Sequence, residues 1–477
     1  MTAIALFLPT LLGFLALAVV LRNEHDTGLV ERLCFSYPLG TGLLTIQMFV
    51  LGLLRVPLTL VNTSLPIVAE IVLLSVLIVI QKITIMPKPS FGFRDEFLST
   101  NIPRIKKVAL LLFILWAGAK LFSVFVETGL RPIFAWDAWA NWSVGAKLFY
   151  AAKSLLLDSP PQDFFASGAV LRITAYPLHN PMMQMWISLW NGGFDEVLVK
   201  FWNPVYLLCL AGCLYIMAKK ELNALAAMMM LVVFLGSQLM SYHAIEAYSD
   251  LALSTYLLLA AISFLYAMRG REAFWILTGV FSAEALFTKD EALFFIAPLC
   301  ISAVIYIWKD SIDRRRKQYE IIKLAAPLLL AAPWYFFKFS HALGLGANHI
   351  KLEFTFHPEI ILPALQQLYS LENFNVIIVF FPLLLLLGGK PSQEFLHIVL
   401  VVASYVVFFV ALYMFTTFYY EHFSRGTVFF RNILTYYPVI VLLTILLLKR
   451  IFLAIKQAET PIAVAVPKKK KKRHRAR

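Results

Sequence analysis

The chain has 477 residues, 60% hydrophobic and only 15% charged, with a mean hydropathy of +0.76. Apolar runs recur along its whole length, each near the roughly 20 residues that a bilayer core requires. A soluble globular protein is thereby excluded, and an all-α polytopic membrane bundle is expected. The net charge of +14 is concentrated at the C-terminus, where Lys468 to Arg477 supply eight Lys and Arg. Such a run beside a last span marks a cytoplasmic end held against anionic headgroups, rather than a nucleic-acid site. Cys34, Cys209, Cys213 and Cys300 all lie in apolar spans, where thiols behave as small hydrophobes, so neither a disulfide framework nor a zinc site is expected.

Thirteen spans are predicted, at about 2–21, 33–54, 63–81, 108–126, 196–217, 222–241, 250–268, 273–288, 291–308, 322–338, 375–389, 395–415 and 427–448. Met1 to Leu21 has no basic n-region and reads as a retained span. Lys and Arg collect in 82–107, at Lys219 and Lys220, at Arg269 and Arg271, and in Arg314 to Lys317. The positive-inside rule puts these segments and the C-terminus in the cytoplasm. Alternation then gathers 127–195, 242–249, Thr288-Lys289-Asp290-Glu291 and 416–426 on the extracytoplasmic face.

The first of those segments is the long one. Asp137 stands among Trp136, Trp139 and Trp142, and Ala138 to Lys153 repeats Trp139, Trp142, Ala146, Phe149 and Tyr150 at helical spacing, as an interfacial helix would. In Tyr176-Pro177-Leu178-His179-Asn180-Pro181 the prolines and Asn should break any helix, and Met182 to Trp190 reads as re-entrant or interfacial. Asp250 falls at the mouth of the seventh span, where a carboxylate suits the helix dipole and capping alone would explain it. Thr288 to Glu291 puts three charges into a tight break, readable as a plain turn or as a site. Glu421-His422-Phe423-Ser424-Arg425 precedes Arg431, which either snorkels or binds an anion through its planar fork.

Taken in order, these residues resemble the polyprenol-dependent membrane glycosyltransferases of the GT-C superfamily. Asp137 with Trp142 and Lys147 resembles their first-loop motif, and Tyr176-Pro177-Leu178 with Pro181 their Tyr-Pro-Leu-x-x-Pro element. Tyr248-Ser249-Asp250 resembles their Tyr-Ala-Asp, Thr288-Lys289-Asp290-Glu291 their Thr-Lys-x-Glu turn, and Arg431 with Pro438 their closing span. The nearest relatives by these motifs are the protein O-mannosyltransferases and the aminoarabinose transferases that modify lipid A. The resemblance implies a catalytic core over 108–450, preceded by N-terminal spans and a cytoplasmic loop over 1–107 and followed by the polybasic tail 451–477. It also implies transfer of a sugar from a polyprenyl phosphate to an extracytoplasmic glycan, lipid or protein, in a bacterial or archaeal plasma membrane. Asp137-Ala138 replaces the mannosyltransferases' Asp-Glu pair, and beyond Leu448 only a short basic stretch stands where some relatives carry a soluble domain, so protein mannosylation is not expected.

In that chemistry Asp137 is the expected base, and Asp250 a second carboxylate that orients the acceptor or binds sugar hydroxyls. Lys289, Arg425 and Arg431, with His422, are the expected phosphate partners. Trp142, Lys147, Tyr176, His179 and Glu291 complete the expected substrate-binding set. No cofactor is expected, although a two-carboxylate site is compatible with a divalent ion. A transporter or flippase for lipid-linked sugars is the alternative, since broken helices also build transport sites.

Overall fold

Apolar segments of this length satisfy their backbone in lipid by coiling, and apart from a single bridge between Phe354 and Thr416 every regular element among the described residues of the computed structural model is helical. The structure describes residues 1–24, 26–85, 103–157, 176–310, 313–341, 343, 353–389, 391–424, 426 and 428–459. The chain begins with α1 (Thr2–Val20), α2 (Leu29–Leu53), α3 (Leu60–Ile80) and α4 (Arg104–Leu130), followed by the short α5 (Val144–Ala152) and α6 (His179–Asn191). Next come α7 (Trp202–Glu221), α8 (Ala224–Leu235), α9 (Gln238–Ile245), α10 (Asp250–Met268), α11 (Phe274–Leu286), α12 (Leu293–Lys309), α13 (Arg314–Ala325) and α14 (Ala332–Ser340). The remainder is α15 (Ile361–Leu368), α16 (Leu371–Phe374), α17 (Ile377–Leu387), α18 (Gln393–Phe415) and α19 (Phe429–Glu459).

Each of the thirteen expected spans has a helical counterpart, but they are not equivalent. Among the described residues ten helices are long and apolar enough to cross a membrane, or eleven if α8 and α9, which meet at 67°, count as one broken span. The helices α11 and α17 have only 13 and 11 residues. The bend has a cause. At Gly236-Ser237 the helix stops, and the Ser237 hydroxyl accepts from Met240 N at 3.3 Å to restart it. Asn375 donates to the Val233 carbonyl at the break, which Gly236 N also reaches at 3.2 Å.

The sequence reading of 176–191 needs two corrections. Pro181 does not break the helix; it lies in the first turn of α6, where a missing N–H goes unnoticed. The helix is also more enclosed than expected, because His179 to Leu189 are buried throughout and it packs among α1, α2 and α5. Ala138 to Lys153, by contrast, is helical as expected, built as a π-helical turn over Ala138–Ser143 that runs into α5. Trp136 and Trp139 stay exposed while Trp142, Ala146 and Phe149 point inward.

At the centre, α10 is buried at every residue, enclosed chiefly by α7, α11 and α19. The outer helices α3 and α4 instead turn Val61, Leu65, Val72, Leu112 and Phe122 outward, an apolar surface suited to lipid. Charges cluster at the two ends of the bundle. At one end Lys220 pairs with Glu31 at 2.7 Å, Arg269 with Glu394 at 2.9 Å and with Glu221, and Lys449 with Glu221 at 2.6 Å. The other end carries the candidate site.

Helix α2 is buried along most of its length because it approaches its neighbours through glycines. A Cβ on Gly13 of α1 would fall onto the Ser36 carbonyl oxygen, and one on Gly40 onto that of Pro9. Close contact between small residues is what holds helices together where lipid removes the hydrophobic drive. Gly13→Ala and Gly40→Ala should therefore each lower the thermal unfolding midpoint of the purified protein, whereas Gly118→Ala, which meets nothing within 4 Å, should leave it unchanged. Equal midpoints in all three variants would show that α1 and α2 do not depend on this contact.

Candidate functional site

The site is assembled by backbone clamps before any charge meets another. After α4 the chain runs extended to Ala135, whose N–H donates to Glu246 Oε2 at 3.3 Å. The fully buried Lys200 donates to the Pro132 carbonyl at 3.2 Å and lies 3.8 Å from Glu246 Oε1. The link between α9 and α10 is fixed from the other side. Asn180 of α6 donates to Ala247 O at 2.8 Å and to Ser249 Oγ at 3.1 Å, while Asn203 of α7 donates to the Glu246 carbonyl and to Tyr248 O at 3.4 Å. These contacts set Asp137 and Asp250 at the same end of the bundle.

Arg431 joins them. It lies in the first turn of α19, where the helix dipole disfavours a cation, and it is stabilised there by two carboxylates. Its Nε and Nη2 donate to Asp250 Oδ2 at 3.2 and 2.9 Å, and its Nη1 donates to Asp137 Oδ2. The guanidinium also lies 4.7 Å from the centre of the Tyr248 ring. On the far side of Asp250, Lys289 approaches Oδ1 at 3.0 Å and Glu291 Oε1 at 3.0 Å. His243 Nδ1 is 3.6 Å from Asp250 Oδ2, and its ring stacks on Tyr248 at 4.6 Å.

Burial is steeply graded across this cluster. The Asp250 side chain is 0% exposed and that of Asp137 is 34% exposed. Asp250 is the first residue of α10, whose N-cap is Ser249, and its carboxylate is occupied by Arg431 and Lys289. Burial disfavours the ammonium of Lys289, but Asp250 and Glu291 outweigh it and raise its pKa above the ordinary lysine value. Burial likewise pushes the Tyr176 phenol up to about 12. With two cations against three carboxylates, the cluster is one charge negative when all five groups are ionised. Arg431 is thus neither a free anion-binding fork nor a snorkelling side chain.

Of the other expected site residues, Trp142 is buried and packs on Tyr176 at 5.5 Å between ring centres. Lys147 is exposed and lies 5.8 Å over Phe194, apart from the cluster. His179 is also elsewhere: it points into the bundle, with Nδ1 2.8 Å from Thr45 Oγ1 and Nε2 3.1 Å from the Tyr206 hydroxyl. Arg425 and the side chain of His422 lie outside the described residues. The sequence reading placed none of His243, Tyr248, Lys200, Glu246, Asn180 and Asn203 in the expected site. Lys200 and Asn203 carried a signal, since polar groups at the start of an apolar span require partners.

Among the described residues no group of three His, Cys, Asp or Glu is arranged to hold a metal ion. A cleft of about 530 Å³ opens at the opposite end of the bundle, lined by Tyr306, Lys309, Asp310, Gln393, Leu396, His397 and Leu400, away from these carboxylates. Compared with known proteins, the chain matches no family model, no curated protein and no solved structure.

The burial gradient separates the two aspartates. Asp250→Ala should destabilise the protein by about 3–5 kcal/mol, because it leaves Arg431 and Lys289 buried against each other. Asp137→Ala should cost about 1 kcal/mol or less, the loss of a partly exposed pair. Thermal unfolding in detergent checks both, and equal losses would contradict the distinction.

Proposed function

We propose that the protein is a membrane glycosyltransferase that takes a sugar from a polyprenyl phosphate and transfers it to an extracytoplasmic acceptor. The observation that carries this reading is the single guanidinium shared between a reachable carboxylate, Asp137, and a buried one, Asp250. Transfer needs a base for the acceptor hydroxyl and positive charge for the departing phosphate. As the acceptor oxygen bonds to the anomeric carbon, its proton passes to Asp137 and the carbon–oxygen bond to the lipid phosphate breaks, with the electron pair leaving on the phosphate. A protonated Asp137 releases its hold on Arg431 Nη1. That donor, with Lys289, then meets the phosphate charge as it develops, which is when stabilisation speeds a reaction.

In this scheme Asp250 touches no substrate. It is a positioning residue for Arg431 and Lys289, in place of the acceptor-binding role expected from the sequence. Trp142 and Tyr176 form an aromatic wall beside the cluster, suited to a sugar face, and the exposed Trp136 and Trp139 suit the membrane interface where a polyprenyl tail enters.

Transport or flipping of a lipid-linked sugar is the second reading, supported by the broken span at Gly236-Ser237 and by the hydroxyls and imidazole buried around His179. Purified protein supplied with polyprenyl-phosphate hexoses and pentoses distinguishes the two: release of polyprenyl phosphate supports transfer, and movement between leaflets without bond cleavage supports transport. Within the first reading, Asp137→Asn should reduce release about 10²–10⁴-fold with folding intact. Turnover within a few-fold of the unmodified protein would remove Asp137 from the base role.

A further inference from the structure

Glu284 lies in the last turn of α11 at 1% exposure, and neither carboxyl oxygen has a hydrogen-bond partner among the described residues. Other buried carboxylates face cations: Asp250 has Arg431 and Lys289, Glu31 has Lys220, Glu221 has Arg269 and Lys449, Asp290 has Lys338, and Glu246 has Lys200. No ion pair reaches Glu284 among the described residues. Its carboxyl group instead fills the space that a Cβ on Gly42 of α2 would occupy. An ionised carboxylate stripped of water and of any counter-charge is far too costly in a bundle interior, so the neutral acid is the form this position holds.

A polar chain surrounds the same glycine. The Thr45 hydroxyl donates to Gly42 O at 3.1 Å and meets His179 Nδ1 at 2.8 Å. His179 Nε2 lies 3.1 Å from the Tyr206 hydroxyl, which in turn meets Thr41 Oγ1 at 2.6 Å and the Tyr256 hydroxyl at 2.7 Å. Tyr206 stands on α7 and Tyr256 on α10, while Thr41 and Thr45 flank Gly42 on α2. In the turn that follows α11, Asp290 and Glu291 are taken up by Lys338 and Lys289. Asn180, next to His179 in sequence, donates separately to Ser249, the neighbour of Asp250.

We propose that Glu284 is a membrane-embedded proton-binding site, occupied at neutral pH, whose proton exchanges through the Tyr206, Tyr256 and His179 chain. This does not depend on sugar transfer. Infrared spectroscopy of the full-length protein in detergent should show a free-acid carbonyl band at neutral pH that is lost in Glu284→Gln. Because the amide is also neutral, Glu284→Gln should keep the unfolding midpoint of the unmodified protein. Tyr206→Phe should slow the shift of the band in deuterated buffer. Absence of a Glu284-dependent acid band would overturn the proposal. So would removal of the band by added sodium or potassium at fixed pH, which would assign the site to a metal cation. An unchanged deuteration rate in Tyr206→Phe would overturn the exchange route.

Discussion

One buried carboxylate sets the geometry of the charged end. Asp250, with no solvent exposure of its own, holds Arg431 on one oxygen and Lys289 on the other. Helices α10 and α19 are far apart in sequence, and their ends, with the turn that follows α11, are tied through those few atoms. A buried charge without partners would be expelled from such a place, so each of the three groups is tolerated only because the others are present. Arg431 transmits the constraint outward by reaching Asp137, which water can also reach. A gradient from fixed interior to accessible rim follows.

That gradient decides which chemistry the cluster suits. A site built only to bind phosphate would carry excess positive charge, and this one is poised one charge the other way. Its cations are already satisfied at rest. In the proposed transfer, linking proton uptake at Asp137 to release of Arg431 would reserve the stabilisation for the moment of bond cleavage. The neighbouring Tyr248 face keeps the guanidinium in place while its partners change.

Much of this was legible in the sequence, since apolar length alone locates helices. Asp137, Asp250, Lys289, Glu291 and Arg431 could be set on one membrane face from the alternation of basic loops, and they do meet. What periodicity cannot show is who pairs with whom: Arg431 reads as an anion fork until Asp137 and Asp250 are seen to occupy it. His179 misled because a motif fixes a residue's place in the chain and not its direction, and α6 turns it inward to Thr45 and Tyr206. The same limit hid Lys200 and Glu246, whose partnership joins residues 46 positions apart. The first three spans, which the sequence left without a role, include α2, whose glycines and threonines line the middle of the bundle.

The most direct test of the account is an experimental structure of the protein with polyprenyl phosphate bound. The phosphate should lie within hydrogen-bond distance of Arg431 Nη1 and Lys289 Nζ, with Asp137 released from the guanidinium and Asp250 still holding it. A phosphate bound elsewhere, with the contact between Asp137 and Arg431 intact, would contradict it.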